Sequence, residues 1–121
     1  AIDGDFYVLG AIEDHIAPWE GSYLTTQALP NANHRYVLSA AGHIAGIVNP
    51  PGPKAWHRIG DSYPADPAEW FAASEQHPGS WWEDWAEWIG ERSGERVAPP
   101  SMGNRKHRPL GDAPGEYVLA D

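Results

Sequence analysis

Two residues of this 121-residue chain have the type and placement for acid–base chemistry: Asp14 and His43. Histidine titrates near neutral pH, and a carboxylate bound to one ring nitrogen leaves the other nitrogen free as a base. Asp14 stands in Glu13-Asp14-His15, shortly after the apolar run Phe6-Tyr7-Val8-Leu9. His43 stands in Ala40-Ala41-Gly42-His43-Ile44-Ala45-Gly46, directly after Arg35-Tyr36-Val37-Leu38-Ser39. Each residue also has a plain structural reading, since Asp after a strand is a common turn residue. Two features join them as a pair: both come after β-favouring runs, and small residues around His43 leave its side chain room.

The elements that must position them are read from pattern. Phe6–Leu9 has no polar alternation and suits a strand buried on both faces. Glu20–Leu29 is predicted to be a helix that stops before Pro30, and Arg35–Ser39 a second strand. Strand, helix, strand over this distance is one βαβ unit, which makes the two strands parallel. Open parallel sheets gather their reactive groups at the carboxyl ends of the strands, where Asp14 and His43 both fall. The order Asp then His is also that of the α/β-hydrolase arrangement, in which the nucleophile precedes both. The fold class expected is therefore α/β. Asn49-Pro50-Pro51-Gly52-Pro53 stops any regular element. Two later helices are marked by caps, Asp66-Pro67-Ala68-Glu69 and Ser80-Trp81-Trp82-Glu83. The second sets Trp81, Trp85, Trp88 and Ile89 on one stripe, expected to face the core. Residues 1–91 are expected to form the folded part, and 92–121, rich in Gly, Pro and charge, an extended tail packing on it.

Composition removes several function classes. A formal charge of −9 argues against a nucleic-acid partner, and the one basic cluster, Arg105-Lys106-His107-Arg108, is expected to be a solvated loop. The absence of Cys excludes a disulfide scaffold, a Cys-ligated zinc site and a thiol nucleophile within these residues. No Gly-x-Ser-x-Gly elbow occurs either, so the pair lacks its nucleophile. His34, His57, His77 and His107 have no ligand-like spacing, and neither metal nor cofactor is expected. His15 adjoins Asp14; in an extended segment the two side chains point apart, which makes His15 a support behind the pair or a structural residue. No apolar run approaches the roughly 18–20 residues needed to cross a bilayer. The acidic start, Ala1-Ile2-Asp3-Gly4-Asp5, does not suit a signal peptide, and the missing initiator Met suggests a fragment or processed chain.

Four stretches are more specific. Glu13-Asp14-His15-Ile16-Ala17-Pro18-Trp19, Gly42-His43-Ile44-Ala45-Gly46-Ile47-Val48-Asn49-Pro50-Pro51, His77-Pro78-Gly79-Ser80-Trp81-Trp82-Glu83-Asp84-Trp85 and Ala113-Pro114-Gly115-Glu116-Tyr117-Val118 resemble the polyhydroxyalkanoate synthases, in that family's order. The resemblance implies the C-terminal part of an α/β-hydrolase catalytic domain, incomplete on its own. It implies a cytoplasmic enzyme at polyester granules, a homodimer, that polymerises (R)-3-hydroxyacyl-CoA with release of coenzyme A. Asp14 and His43 would be two members of a Cys-His-Asp triad, with the Cys upstream. Whether Asp14 activates the incoming hydroxyl or orients His43 is left open by the resemblance. The alternative is a non-catalytic Trp-rich module that binds a granule or a protein partner.

Overall fold

The computed structural model describes residues 2–120. Strand β1 (Gly4–Ala11) is followed by two short helices, α1 (Trp19–Tyr23) and α2 (Thr25–Ala28), and by strand β2 (Ala32–Ser39). Next come a one-turn helix α3 (Ala45–Val48), β3 (Trp56–Ile59), α4 (Pro67–Ala73), β4 (Glu75–Pro78) and α5 (Trp81–Gly90). The strands form one sheet in the order β1-β2-β3-β4. β1 and β2 pair in parallel over eight residues, from Gly4 opposite Ala32 to Ala11 opposite Ser39.

The two parallel strands are as expected, but the sheet continues through two strands not anticipated from sequence: β3 runs antiparallel to β2, and β4 antiparallel to β3. The sheet is mixed. Neither strand is an apolar run; Trp56-His57-Arg58-Ile59 and Glu75-Gln76-His77-Pro78 are short and largely polar. Their strand character comes from the ladder they join rather than from local preference.

The predicted helix over Glu20–Leu29 is also divided, at Leu24. Side chains compete there for the backbone carbonyls: Ser22 Oγ donates to the Trp19 carbonyl at 2.8 Å, and Thr26 Oγ1 to that of Tyr23 at 2.9 Å. Both later helices begin at the expected caps. Asp66 Oδ1 accepts from Ala68 N at 2.8 Å, and Ser80 Oγ from Trp82 N at 3.1 Å.

Helices cover both faces of the β1–β2 pair. On one face Tyr23, Tyr36, Leu38 and Trp70 are fully buried, flanked by Val8, Trp19 and Phe71. Their rings meet edge to face, Tyr36 and Trp70 at 4.9 Å and Tyr23 and Tyr36 at 5.1 Å between centroids. The buried hydroxyls are satisfied, Tyr23 by the Pro64 carbonyl at 2.6 Å and Tyr36 by that of Trp19 at 3.0 Å. On the opposite face α5 lies across Tyr7 and Arg35. Asp84 accepts from Tyr7 Oη at 2.9 Å and from Arg35 Nε at 3.2 Å, while Trp88 packs edge-on against Tyr7. Burial and the Asp84 charge push the Tyr7 phenol far above its ordinary range, so it remains a donor.

This contact corrects the expected Trp stripe. Trp81 and Trp88 do face the sheet, but the residue between them is Asp84; Trp85 is 43% exposed and Trp82 41%. The ion pair with Arg35 turns the helix so that the Asp84 carboxylate, rather than the Trp85 indole, meets the sheet between Trp81 and Trp88. Residues 91–120 are exposed throughout, and their one regular element is a 3-10 turn at Tyr117–Leu119. No helix among the described residues is long and apolar enough to cross a membrane.

Candidate active site

The two loops that leave the carboxyl ends of β1 and β2 are stitched together. Beyond the last paired residues, Ile12 N donates to the Ser39 carbonyl at 2.9 Å and Glu13 N to that of Ala41 at 3.0 Å. The parallel register puts Ala11 beside Ser39, so the third residue after β1 and the fourth after β2 come out side by side. There His43 Nδ1 lies 2.8 Å from Asp14 Oδ2. The other carboxylate oxygen, Oδ1, accepts from Ile16 N at 2.9 Å and Ala17 N at 2.8 Å, an Asx turn that fixes the side chain before the imidazole arrives.

Three donors on one carboxylate favour its charged form. The Asp14 pKa is lowered to about 2, chiefly by the Ala17 N–H, with His43 and the Ile16 N–H adding to it and partial desolvation opposing. Asp14 is therefore ionised at neutral pH. An anionic acceptor at Nδ1 selects the tautomer with its proton there and leaves the Nε2 lone pair free. The pair is also polarised in exposure. The Asp14 side chain is only 6% exposed and the His43 side chain 44%, so the carboxylate is sheltered and the imidazole is open to a reactant.

Local backbone explains how a histidine is presented this way. Ala41 has φ = 68°, the left-handed region that a residue with a Cβ seldom occupies. It bends the chain sharply off the end of β2 and turns Gly42-His43 back toward Asp14. Strained non-glycine backbone of this kind is concentrated at working sites. Gly46 then lets α3 sit directly on the strand ends: a Cβ there would stand 2.5 Å from Ala11 Cβ and 2.8 Å from the Ala40 carbonyl oxygen.

The other sequence candidates fall elsewhere. His15 is exposed and has no hydrogen bond among the described residues. The rings of His57 and His77 stack at 5.7 Å on β3 and β4, and His34 Nε2 is bound to the Leu29 carbonyl at 2.8 Å. No cluster of three or more His, Cys, Asp or Glu able to hold a metal occurs among the described residues. Sequence reasoning missed the left-handed Ala41 and the close approach at Gly46. Gly46 had a readable signal, because it lies four residues after Gly42, one helical turn on; nothing local marks Ala41 as left-handed.

No family model matches the chain. Individual proteins do. Over 122 residues it is 44% identical to poly(3-hydroxyalkanoate) polymerase subunit PhaC of Cupriavidus necator, which takes in 99% of this chain and 20% of that protein. The chain is homologous to one part of the poly(3-hydroxyalkanoate) polymerases. Poly(3-hydroxyalkanoate) polymerase 2 of Ectopseudomonas oleovorans is 42% identical over 98% of the chain and 21% of its own length. A PhaC subunit from Rhizobium etli is 34% identical over 93% of the chain and 18% of its own length. The chain thus spans about a fifth of the length of these relatives, and the similarity runs through both loops of the Asp14–His43 pair.

Proposed function

We propose that this chain supplies the Asp and His of a Cys-His-Asp triad, as the C-terminal part of the α/β-hydrolase domain of a polyhydroxyalkanoate synthase acting on (R)-3-hydroxyacyl-CoA. The observation that carries this reading is the 2.8 Å bond from His43 Nδ1 to Asp14, with Nε2 left open to a reactant.

In this mechanism Nε2 of His43 takes the proton of a Cys thiol contributed by the rest of the enzyme. The thiolate attacks the acyl carbonyl of the substrate thioester, and a new thioester forms on the Cys. The coenzyme A thiolate leaves, and the imidazolium returns a proton to it. In extension Nε2 accepts the proton of the 3-hydroxyl of an incoming substrate as that oxygen attacks the Cys-bound acyl carbonyl. The Cys thioester breaks, the imidazolium reprotonates the departing Cys thiolate, and the elongated chain, still a coenzyme A thioester, is loaded back onto the Cys as before. Asp14 stabilises the imidazolium at each stage. A direct role for Asp14 as the base is disfavoured, because a carboxylate with a pKa of about 2 accepts a proton poorly and both its oxygens are engaged. Cytoplasmic location at polyester granules and a homodimeric enzyme belong to the same reading. One observation favours the rival, a Trp-rich binding module: Trp82 and Trp85 stand exposed one turn apart on α5.

The test uses the full-length enzyme and single-turnover release of coenzyme A. His43→Gln is expected to abolish loading of the Cys. If Asp14 orients His43, Asp14→Asn loses loading too, by about 10⁴-fold on the serine-protease precedent. Loading at the wild-type rate in Asp14→Asn would show instead that the carboxylate acts only on the hydroxyl, and full activity in both variants would remove the triad. The 121-residue chain alone, with no Cys, is expected to release no coenzyme A from 3-hydroxybutyryl-CoA.

A further inference from the structure

The loop that presents His43 is held at its far end by a buried polar clasp that the Asp14–His43 pair does not use. Three backbone bonds knit residues 42–49 into one turn: Gly46 N to the Gly42 carbonyl at 2.7 Å, Val48 N to Ile44 at 2.9 Å and Asn49 N to Ala45 at 2.8 Å. Whatever holds Asn49 therefore holds the segment that carries His43. Asn49 is held from two sides. Its Nδ2 reaches back ten residues and donates at 2.8 Å to Ser39 Oγ, at the end of β2. Its backbone carbonyl accepts a hydrogen bond from Ser80 Oγ, the hydroxyl that also caps α5. Both serines are fully buried. A third link runs parallel to these, from Trp81 Nε1 to the Ile47 carbonyl at 3.2 Å.

An asparagine that ends a one-turn helix could be there for its backbone alone, since Asn tolerates unusual φ and ψ. Its own φ and ψ are 13° and 66°. The side chain argues for more. It does not close a local turn, as Asx residues commonly do, but crosses to a hydroxyl buried in the sheet. Breaking that bond would leave the buried Ser39 hydroxyl with only its long bond to the Ala40 carbonyl, at 3.3 Å, and the Asn49 amide without its partner. At its other end the loop is tied to Glu13, one residue from Asp14, through the Ala41 carbonyl. His43 thus sits in a span fixed at both ends, and α5 is the outer support of the far end.

We propose that Asn49 is a positioning residue for His43: through Ser39 and Ser80 it holds α3 in the one place from which Nδ1 reaches Asp14. This rests on the reading of Asp14 and His43 as the working pair, and its test is independent of that reading. The probe is the ring tautomer of His43, followed by nitrogen NMR on the 121-residue chain at about pH 9, where histidine is ordinarily neutral. The wild-type chain is expected to show a protonated Nδ1 and an unprotonated Nε2. Asn49→Ala is expected to lose about half or more of that preference, because the hydrogen bond that selects the tautomer is broken in a large share of molecules. The amide resonances of Tyr36–Leu38 should stay at their wild-type positions. Ser39→Ala, which removes the same bond from the sheet side, should behave alike, and the double variant should be no worse than either single one.

Wild-type ring shifts in Asn49→Ala would overturn the proposal while leaving the catalytic assignment untouched. If Asn49→Ala fails to fold, Ser39→Ala decides by the same criterion. Collapse of the sheet amides in both variants would also overturn it, because the bond would then hold the sheet rather than the loop. Loss of activity with an intact His43 tautomer in the full-length enzyme would count against it in the same way.

Discussion

Replacing Gly46 by Ala sets two effects of known sign against each other. Gly46 lies inside α3, where Ala is the better helix former by about 1 kcal/mol. By propensity alone the change stabilises. The added methyl, however, would stand 2.5 Å from Ala11 Cβ, 2.8 Å from the Ala40 carbonyl oxygen and 3.1 Å from that of Ala41. All three belong to the strand ends and the loop beyond, and none is the free end of a flexible side chain. To reach ordinary contact near 3.5 Å the helix must lift by about 1 Å, and overpacking of this kind costs roughly 1–3 kcal/mol. With contacts as short as 2.5 and 2.8 Å the cost falls in the upper part of that range, roughly 2–3 kcal/mol, so the steric term wins for a net loss of about 1–2 kcal/mol. Gly21, in α1, is the control. A Cβ there meets nothing within 4 Å, so Gly21→Ala should stabilise by about 0.4–1 kcal/mol. Urea unfolding of the 121-residue chain measures both, read as midpoint shifts at constant slope. A Gly46→Ala midpoint equal to or above that of the wild type, with Gly21→Ala behaving as stated, would refute this reasoning. Lifting α3 also carries His43 away from Asp14, so Gly46→Ala should reduce the activity of the full-length enzyme more than its stability.

The same geometry sets two further outcomes. Asp14 has a folded-state pKa of about 2 against an ordinary 3.8, so its contribution is present above about pH 4 and lost as pH falls through 2; the stability gap between wild type and Asp14→Asn should close across that window in melts run at stepped pH. Trp70→Ala, which empties the centre of the aromatic cluster, should cost about 3–5 kcal/mol, whereas Trp85→Ala on the open face of α5 should stay within about 0.5 kcal/mol by the same urea assay.

The amino-acid sequence by itself determined the two parallel strands, the two capped helices and the meeting of Asp14 with His43. Tyr36–Leu38, buried on both faces, and Phe6–Leu9, half-buried beside it, are legible because each is a continuous apolar run, a property of consecutive residues. Asp66 and Ser80 are legible because a cap acts within two or three positions. Asp14 and His43 are legible because adjacent parallel strands deliver the loops at their carboxyl ends to one place. Tertiary structure alone decided the rest. β3 and β4 exist only as members of a ladder, and their direction depends on partners that no short window of sequence contains. The rotation of α5 is set by Asp84 meeting Arg35, a pair 49 residues apart, which overrides the Trp spacing that pointed to Trp85. The left-handed Ala41 and the Ser39–Asn49–Ser80 clasp are likewise imposed from outside, by strand ends and a helix that must meet at one point. Local sequence encodes which residues prefer burial and which turns are cheap; which distant group each polar side chain finally meets is a property of the closed fold.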